Sequence, residues 1–128
     1  MTRTGGCGCG AVRYAITGPV RDVIVCHCDA CQEAAGGPWG ASSARREHFA
    51  LEDGDALRWE KAAVSAHDAS RAWCRSCGDY LLWDAPSRET VSFGADTLDD
   101  ATELVVAMHI WVPDGVEVPP EQPLGWHD

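Results

Sequence analysis

Apolar and polar positions along the chain change rhythm every few residues, and the rhythm is that of short strands. "AVRYAI" (11–16) alternates loosely in strand-forming residues, "TGP" (17–19) interrupts it, and "VRDVIVC" (20–26) predicts a second strand, so the two read as a hairpin. "DACQEAA" (29–35) predicts a short helical turn stopped by Gly36, Gly37 and Pro38, after which "WGASS" is extended again. Within "HFALEDGDALRWE" (48–60) two extended runs flank an acidic turn at Asp53, Gly54 and Asp55, and "KAAVSAHDAS" (61–70) is balanced between helix and loop. "RAWC", "YLLWD" and "ETVSFG" predict three further strands, parted by Gly78 and Pro86. The longest apolar run, "LVVAMHIWV" (104–112), predicts a buried central strand, followed by a proline-rich surface tail (113–128) with Trp126 as an anchor. Many short strands with glycine and proline turns predict an all-β, or mainly β, fold with two packed sheets.

Length and charge narrow the setting. A chain of 128 residues is expected to form a single domain (1–128). No apolar run approaches the roughly 20 residues that cross a bilayer. The opening "MTRTGGCGCG" lacks the apolar core of a signal peptide, so the expectation is a cytoplasmic protein with no membrane partner. A formal charge of −10, with Lys61 the single lysine, repels phosphate backbones and argues against nucleic acid.

Seven cysteines change the picture most. An odd number leaves one unpaired in any disulfide framework, and a cytoplasmic setting disfavours disulfides, so metal ligation is the better reading. They fall in three groups: Cys7 and Cys9 in "GGCGCG", Cys26, Cys28 and Cys31 in "CHCDAC", and Cys74 and Cys77 in "WCRSCG". In C-x-x-C a turn brings both sulfurs to one ion, and Gly78 can take the positive φ such a turn needs. In an extended C-x-C, positions i and i+2 share a face. Four plus three is the favoured division. Cys7, Cys9, Cys74 and Cys77 would close a tetrahedral structural site, and Cys26, Cys28 and Cys31 would leave a fourth position open for chemistry. Spacing alone also permits Cys31 to join Cys74 and Cys77, or His27, His109 or Asp29 to cap the triad. Thioredoxin-like redox use is disfavoured, because no helix-forming pattern follows Cys74 or Cys77.

"GGCGCGAVRY", "CHCDAC" followed by "GG", "WCRSCG" and the late "HIWV" resemble, in order and approximate spacing, the glutathione-dependent formaldehyde-activating enzyme family, also called the centromere protein V/GFA family. The resemblance runs from Gly5 to about Val112. It implies a β-tent fold with a core at about 5–112 and two zinc ions per chain. Cys7, Cys9, Cys74 and Cys77 fall on the family's structural zinc ligands, and Cys26, Cys28 and Cys31 on its catalytic zinc ligands. The implied activity is that of a carbon–sulfur lyase-type enzyme forming or cleaving a thiol–aldehyde adduct, such as S-(hydroxymethyl)glutathione from glutathione and formaldehyde. The implied partners are small thiol and aldehyde substrates, with the chain a monomer or homodimer.

Other residues are read around that chemistry. His27, between Cys26 and Cys28, either carries a proton or bonds a zinc-bound sulfur, or it turns into packing. His109 reads as a core or an active-site histidine, and Trp39 as core or pocket wall. Asp99 and Asp100 read as turn residues. Glutathione carries two carboxylates, and the cations near the motifs are Arg13, Arg45, Arg46, Arg71 and Arg75. The segment "PDGVEVPP" departs from the family's usual small-plus-lysine continuation, which makes a different thiol, or a non-thiol substrate, a rival to glutathione. Two other classes are a non-catalytic zinc scaffold that binds a protein partner through an apolar face built from Trp59, Trp83 or Trp126, and a zinc/thiol redox sensor.

Overall fold

The computed structural model of the chain describes residues 2–52, 54–61, 68–101, 104–112, 114 and 122–123. Along the chain run β1 (Arg3–Gly6), β2 (Arg13–Ile16), β3 (Val23–Cys26), α1 (Asp29–Ala35), β4 (Trp39–Arg45), β5 (Phe49–Leu51) and β6 (Leu57–Lys61). Then follow β7 (Ser70–Cys74), β8 (Tyr80–Asp84), β9 (Thr90–Gly94), β10 (Val105–Ile110) and β11 (Gln122–Pro123). The chain is mainly β, as its pattern predicts. Most of the 61–70 segment, Asp53, and the tail with Trp126 lie outside the described residues. Among the described residues, no helix is long and apolar enough to cross a membrane.

Among the described residues two sheets form, a three-stranded one in the order β1-β2-β5 and an eight-stranded one in the order β11-β10-β3-β4-β9-β8-β7-β6. The pairing of β10 with β3 is parallel, with His109 opposite Val25 and Ile110 opposite Cys26. The other pairings are antiparallel. Between the sheets sits the main core, with Tyr14, Ile16, Val23, Leu81, Leu82 and Phe93 almost fully buried. The Tyr14 ring stacks on Phe49 with centroids 5.1 Å apart and meets Phe93 at 5.7 Å.

Strand alternation sends every second side chain of the large sheet to the opposite face. Val91 and Phe93 of β9, Leu82 of β8 and Ala72 of β7 join the main core. Their neighbours Ser92, Trp83 and Arg71 instead line a cavity on the far side. That far side is covered by α1 and a second cluster containing Cys31, Trp39, Ala41 and Tyr80. Trp73 Nε1 donates to the Ala34 carbonyl at 3.0 Å, tying α1 to β7. Tyr80 packs between Trp39 and Trp73, at 4.5 and 5.2 Å between centroids.

Two sequence expectations are corrected. Residues 11–16 and 20–26 do not form a hairpin: β2 lies between β1 and β5, whereas β3 lies between β10 and β4 in the other sheet. The six residues 17–22, around Gly18 and Pro19, carry the chain from one layer to the next, with Thr17 N–H on the His48 carbonyl and Arg21 N–H on the Ser43 carbonyl. The 104–112 run is not a buried central strand. β10 is next to the edge, with Met108 52% and Trp111 74% exposed, because only one of its faces meets the core.

The small sheet is clipped to the segment after β9. Thr4 Oγ1 donates to Asp99 Oδ2 at 2.6 Å, Asp99 N–H donates to the Thr4 carbonyl at 2.9 Å, and Arg13 forms an ion pair with the Asp99 carboxylate. Asp99 is therefore a clip as well as a turn residue. Arg13 and then Thr4 hold its carboxyl down at about 2.

Two outcomes are expected. A β-carbon on Gly6 would stand 2.1 Å from the Val12 carbonyl oxygen, so Gly6→Ala should lower stability by about 1–3 kcal/mol in urea unfolding. Asp99 has a folded pKa below its unfolded value of about 4, so its stabilisation is present above about pH 4 and is lost as pH falls through 2. Wild type and Asp99→Asn should differ by less than about 1 kcal/mol above pH 4, since both partners are partly exposed, and converge at lower pH.

Candidate metal centre

The first sulfur set is assembled from distant parts of the chain. Cys7 and Cys9 lie in the loop after β1, Cys74 ends β7, and Cys77 lies in the turn that follows. All four sulfurs lie within 4.8 Å of one another, with Cys7 and Cys9 at 3.5 Å and Cys9 and Cys74 at 3.6 Å. Glycine turns make this possible: Gly10 and Gly78 have φ of 82° and 80°, and Gly78 N–H closes its turn on the Cys74 carbonyl. Backbone N–H groups point at sulfur, from Val12 to Cys7 at 3.3 Å and from Ser76 to Cys74 at 3.4 Å. Gly8 N–H reaches Asp79 Oδ2 at 2.7 Å, joining the two loops a second time.

Clustered thiols cannot all ionise unless a cation stands among them. Burial works against the Cys7 thiolate, but the Val12 N–H and the neighbouring thiols bring its pKa down to about 6. Cys9 shows the opposite: the Ala11 N–H favours its thiolate, yet neighbouring Cys7 pushes it up to about 12. Four thiolates on a tetrahedral zinc stand about 3.8 Å apart, given a Zn–S length of about 2.3 Å. The observed 3.5 and 3.6 Å fit that ion, and four protein donors complete its shell.

The second set is local. Cys26 ends β3 and Cys31 lies in α1, with Cys28 capping that helix: its sulfur accepts the Cys31 N–H at 3.3 Å. Gly36, with φ of 80°, ends the helix. The sulfurs lie 3.3 Å apart for Cys26 and Cys28 and 3.0 Å apart for Cys26 and Cys31. They stand closer than the roughly 3.8 Å of sulfurs on a tetrahedral zinc and would have to spread by several tenths of an ångström to hold one. Burial and then neighbouring sulfurs push the Cys31 thiol up. Burial also opposes ionisation at Cys28, but the Cys31 thiol and N–H, with Arg71 behind them, bring its pKa down. Among the described residues, no fourth cysteine, histidine or carboxylate joins this cluster.

Asp29 and the two histidines are thus outside the donor set. His27 Nε2 pairs instead with His109 Nδ1 at 2.8 Å, and its backbone is held on both sides, N–H to the Ile110 carbonyl and carbonyl to Gln32 Nε2. Burial, then His27, lowers the His109 pKa.

All three triad cysteines line a cavity of about 280 Å³ with Trp39, Trp83 and Arg71. Trp39 therefore serves as both cluster core and pocket wall. Arg71 Nη2 stands 3.9 Å from Cys31 Sγ. Sequence reasoning missed Arg21, Trp83 and Trp111 as lining residues. Alternation on β8 and β9 could have found Trp83, while nothing local marks Arg21, whose side chain leans in to the Ala41 carbonyl.

Protein purified without chelator should hold about two zinc ions per chain by elemental analysis. Cys74→Ser should lose one of them and several kcal/mol of stability, because that site joins segments 65 residues apart. Cys28→Ser should lose the other at a cost below about 2 kcal/mol, since serine keeps the helix cap.

The comparisons with known proteins agree with this architecture. The family model described as glutathione-dependent formaldehyde-activating enzyme matches residues 2–114. No curated protein matches the sequence. A crystal structure of a Rhodobacter sphaeroides protein superposes with a TM-score of 0.61 at 24% identity, covering 75% of this chain and 87% of that one, a likeness of fold. Two cysteine clusters able to hold metal, on a mainly β scaffold matched over nearly its whole length, place this chain in the glutathione-dependent formaldehyde-activating enzyme family.

Proposed function

We propose that this chain is a two-zinc, carbon–sulfur lyase-type enzyme that forms or cleaves the adduct of a small thiol with an aldehyde. Cys7, Cys9, Cys74 and Cys77 hold a structural zinc, and Cys26, Cys28 and Cys31 a catalytic one. The observation that carries this reading is a set of three sulfurs, without a fourth protein donor among the described residues, opening on a cavity. When bound there, zinc supplies an exchangeable position that favours the thiolate form of a substrate thiol.

The chain's own residues do the rest. Trp39 and Trp83 wall the cavity and keep water from the carbonyl carbon. Arg71, beside Cys31, offsets the negative charge of the sulfur cluster. His27, next to Cys26 and Cys28 in the chain and hydrogen-bonded through Nε2 to His109 Nδ1, is the proton carrier of this reading, acting from outside the lining of the cavity. The reaction needs no oxidant. A carbon–sulfur bond forms as the carbonyl π bond breaks, and the thiol proton ends on the new hydroxyl; cleavage is the reverse.

A second reading has its own observation. Met108 and Ile110 of β10 and Trp111 just after it are exposed, and Trp59 is 44% exposed on β6, which favours a zinc scaffold that meets a protein partner. The family's named pair separates the two. With glutathione and formaldehyde, adduct formation followed by NMR exchange should be faster with wild type than in buffer, and Cys28→Ser should lose at least about 100-fold of that acceleration. No acceleration by fully metallated protein with any thiol–aldehyde pair would favour the scaffold, whereas undiminished turnover in Cys28→Ser would take the chemistry away from the triad.

A further inference from the structure

The arginines near the motifs are not equivalent in the fold. Arg13 pairs with Asp99, Arg45 with Glu47 at 2.8 Å, and Arg46 with Asp84 at 2.7 Å, while Arg75 Nε donates to the Leu57 carbonyl. Arg71 differs. It reaches the triad, its Nε is buried without a hydrogen-bond partner, and no carboxylate among the described residues pairs with it.

A second cation lines the same cavity. Arg21 spends its hydrogen bonds on two carbonyls, Nη2 on Ala41 at 3.0 Å and Nε on Asp22 at 3.2 Å, so its charge has no carboxylate partner among the described residues either. Arg88 lies over the Trp83 ring at 5.8 Å, and its charge is felt at Arg21. Among the described residues, no aspartate or glutamate lines this cavity. On a chain of net charge −10 this cavity brings together two arginines, one of them 3.9 Å from Cys31 Sγ, among largely apolar walls.

A half-buried guanidinium that has only the sulfur cluster and Tyr80 beside it, and no carboxylate among the described residues, can still take an anion, and its planar fork matches a carboxylate. An ammonium group would find no carboxylate among the described lining residues and would meet the charges of Arg71 and Arg21. We infer that the pocket selects a thiol that bears a carboxylate and lacks a neighbouring ammonium, with Arg71 taking the carboxylate and Arg21 supplying the second positive charge. This deepens the proposed function and rests on the triad receiving the substrate sulfur. Glutathione satisfies half of the requirement, since one of its two carboxylates stands beside an ammonium.

Titration calorimetry on the metal-replete full chain tests this with four probes. 3-Mercaptopropionate carries sulfur and carboxylate, 2-mercaptoethanol sulfur alone, cysteamine sulfur and ammonium, and propionate carboxylate alone. The acid thiol should bind more tightly than mercaptoethanol by on the order of tenfold to a hundredfold, with cysteamine weakest and propionate competing with the acid thiol. Arg71→Gln should shrink the acid-to-neutral ratio to within about threefold, and Arg21→Gln should reduce it less. Metal content and circular dichroism check each variant; if Arg71→Gln does not fold, the wild-type series and Arg21→Gln decide.

Equal affinity of wild type for acid and neutral thiols overturns the inference, as does a ratio that survives in Arg71→Gln, which would leave Arg71 a counter-charge to Cys31 alone. Failure of the underlying reading looks different. Propionate would then bind in an Arg71-dependent way while no thiol binds better than propionate, removing the substrate class but not the arginine subsite.

Discussion

Successive side chains of a strand point to opposite sides, so the eight-stranded sheet assigns each residue of β3, β4, β7, β8 and β9 to one of two environments. One environment is the core against the three-stranded sheet; the other is the face that carries α1, the triad and the cavity. β7 shows the consequence within five residues. Ala72 and Cys74 turn inward, while Arg71 reaches Cys31 and Trp73 bonds α1. The same strand therefore contributes to both sulfur clusters, and whatever fixes its end also sets the floor on which the triad helix rests.

The two clusters differ in how far the fold completes them. Four sulfurs from two distant segments lie within 4.8 Å of one another, enough donors for a complete tetrahedral shell, and their assembly ties the start of the chain to its middle. Three sulfurs from one short segment leave a position that no described side chain supplies. The first arrangement is suited to holding the fold and the second to exchanging a ligand, although the donor atoms are the same. The histidine pair follows the same logic, since His27 is drawn to β10 by His109 and by its own backbone bond to Ile110.

Charge is arranged against the average. Acidic residues outnumber basic ones by 20 to 10, yet Arg21 and Arg71 line one cavity whose described lining has no carboxylate, and Arg88 lies over its Trp83. Long-range repulsion of anions and short-range recognition of them can coexist, because solution salt screens the first over about 10 Å and leaves the second intact.

Several features were legible before folding. The cysteine spacing identified the family, grouped the sulfurs as they are found in space, and singled out Gly78 for a positive φ. Alternation placed most strands and the short helix, since period and punctuation are local properties. Pairing is not local. The hairpin expected from 11–16 and 20–26 gave way to strands in different sheets, and an apolar run read as central became a near-edge strand. The sequence by itself determined the donor atoms and the short, alternating elements that carry them. Only the tertiary structure decided that Arg71 faces Cys31, that Arg21 leans into the same cavity, and that His27 turns to His109. Those contacts join residues up to 82 positions apart, and sheet order rather than local pattern sets which of them meet.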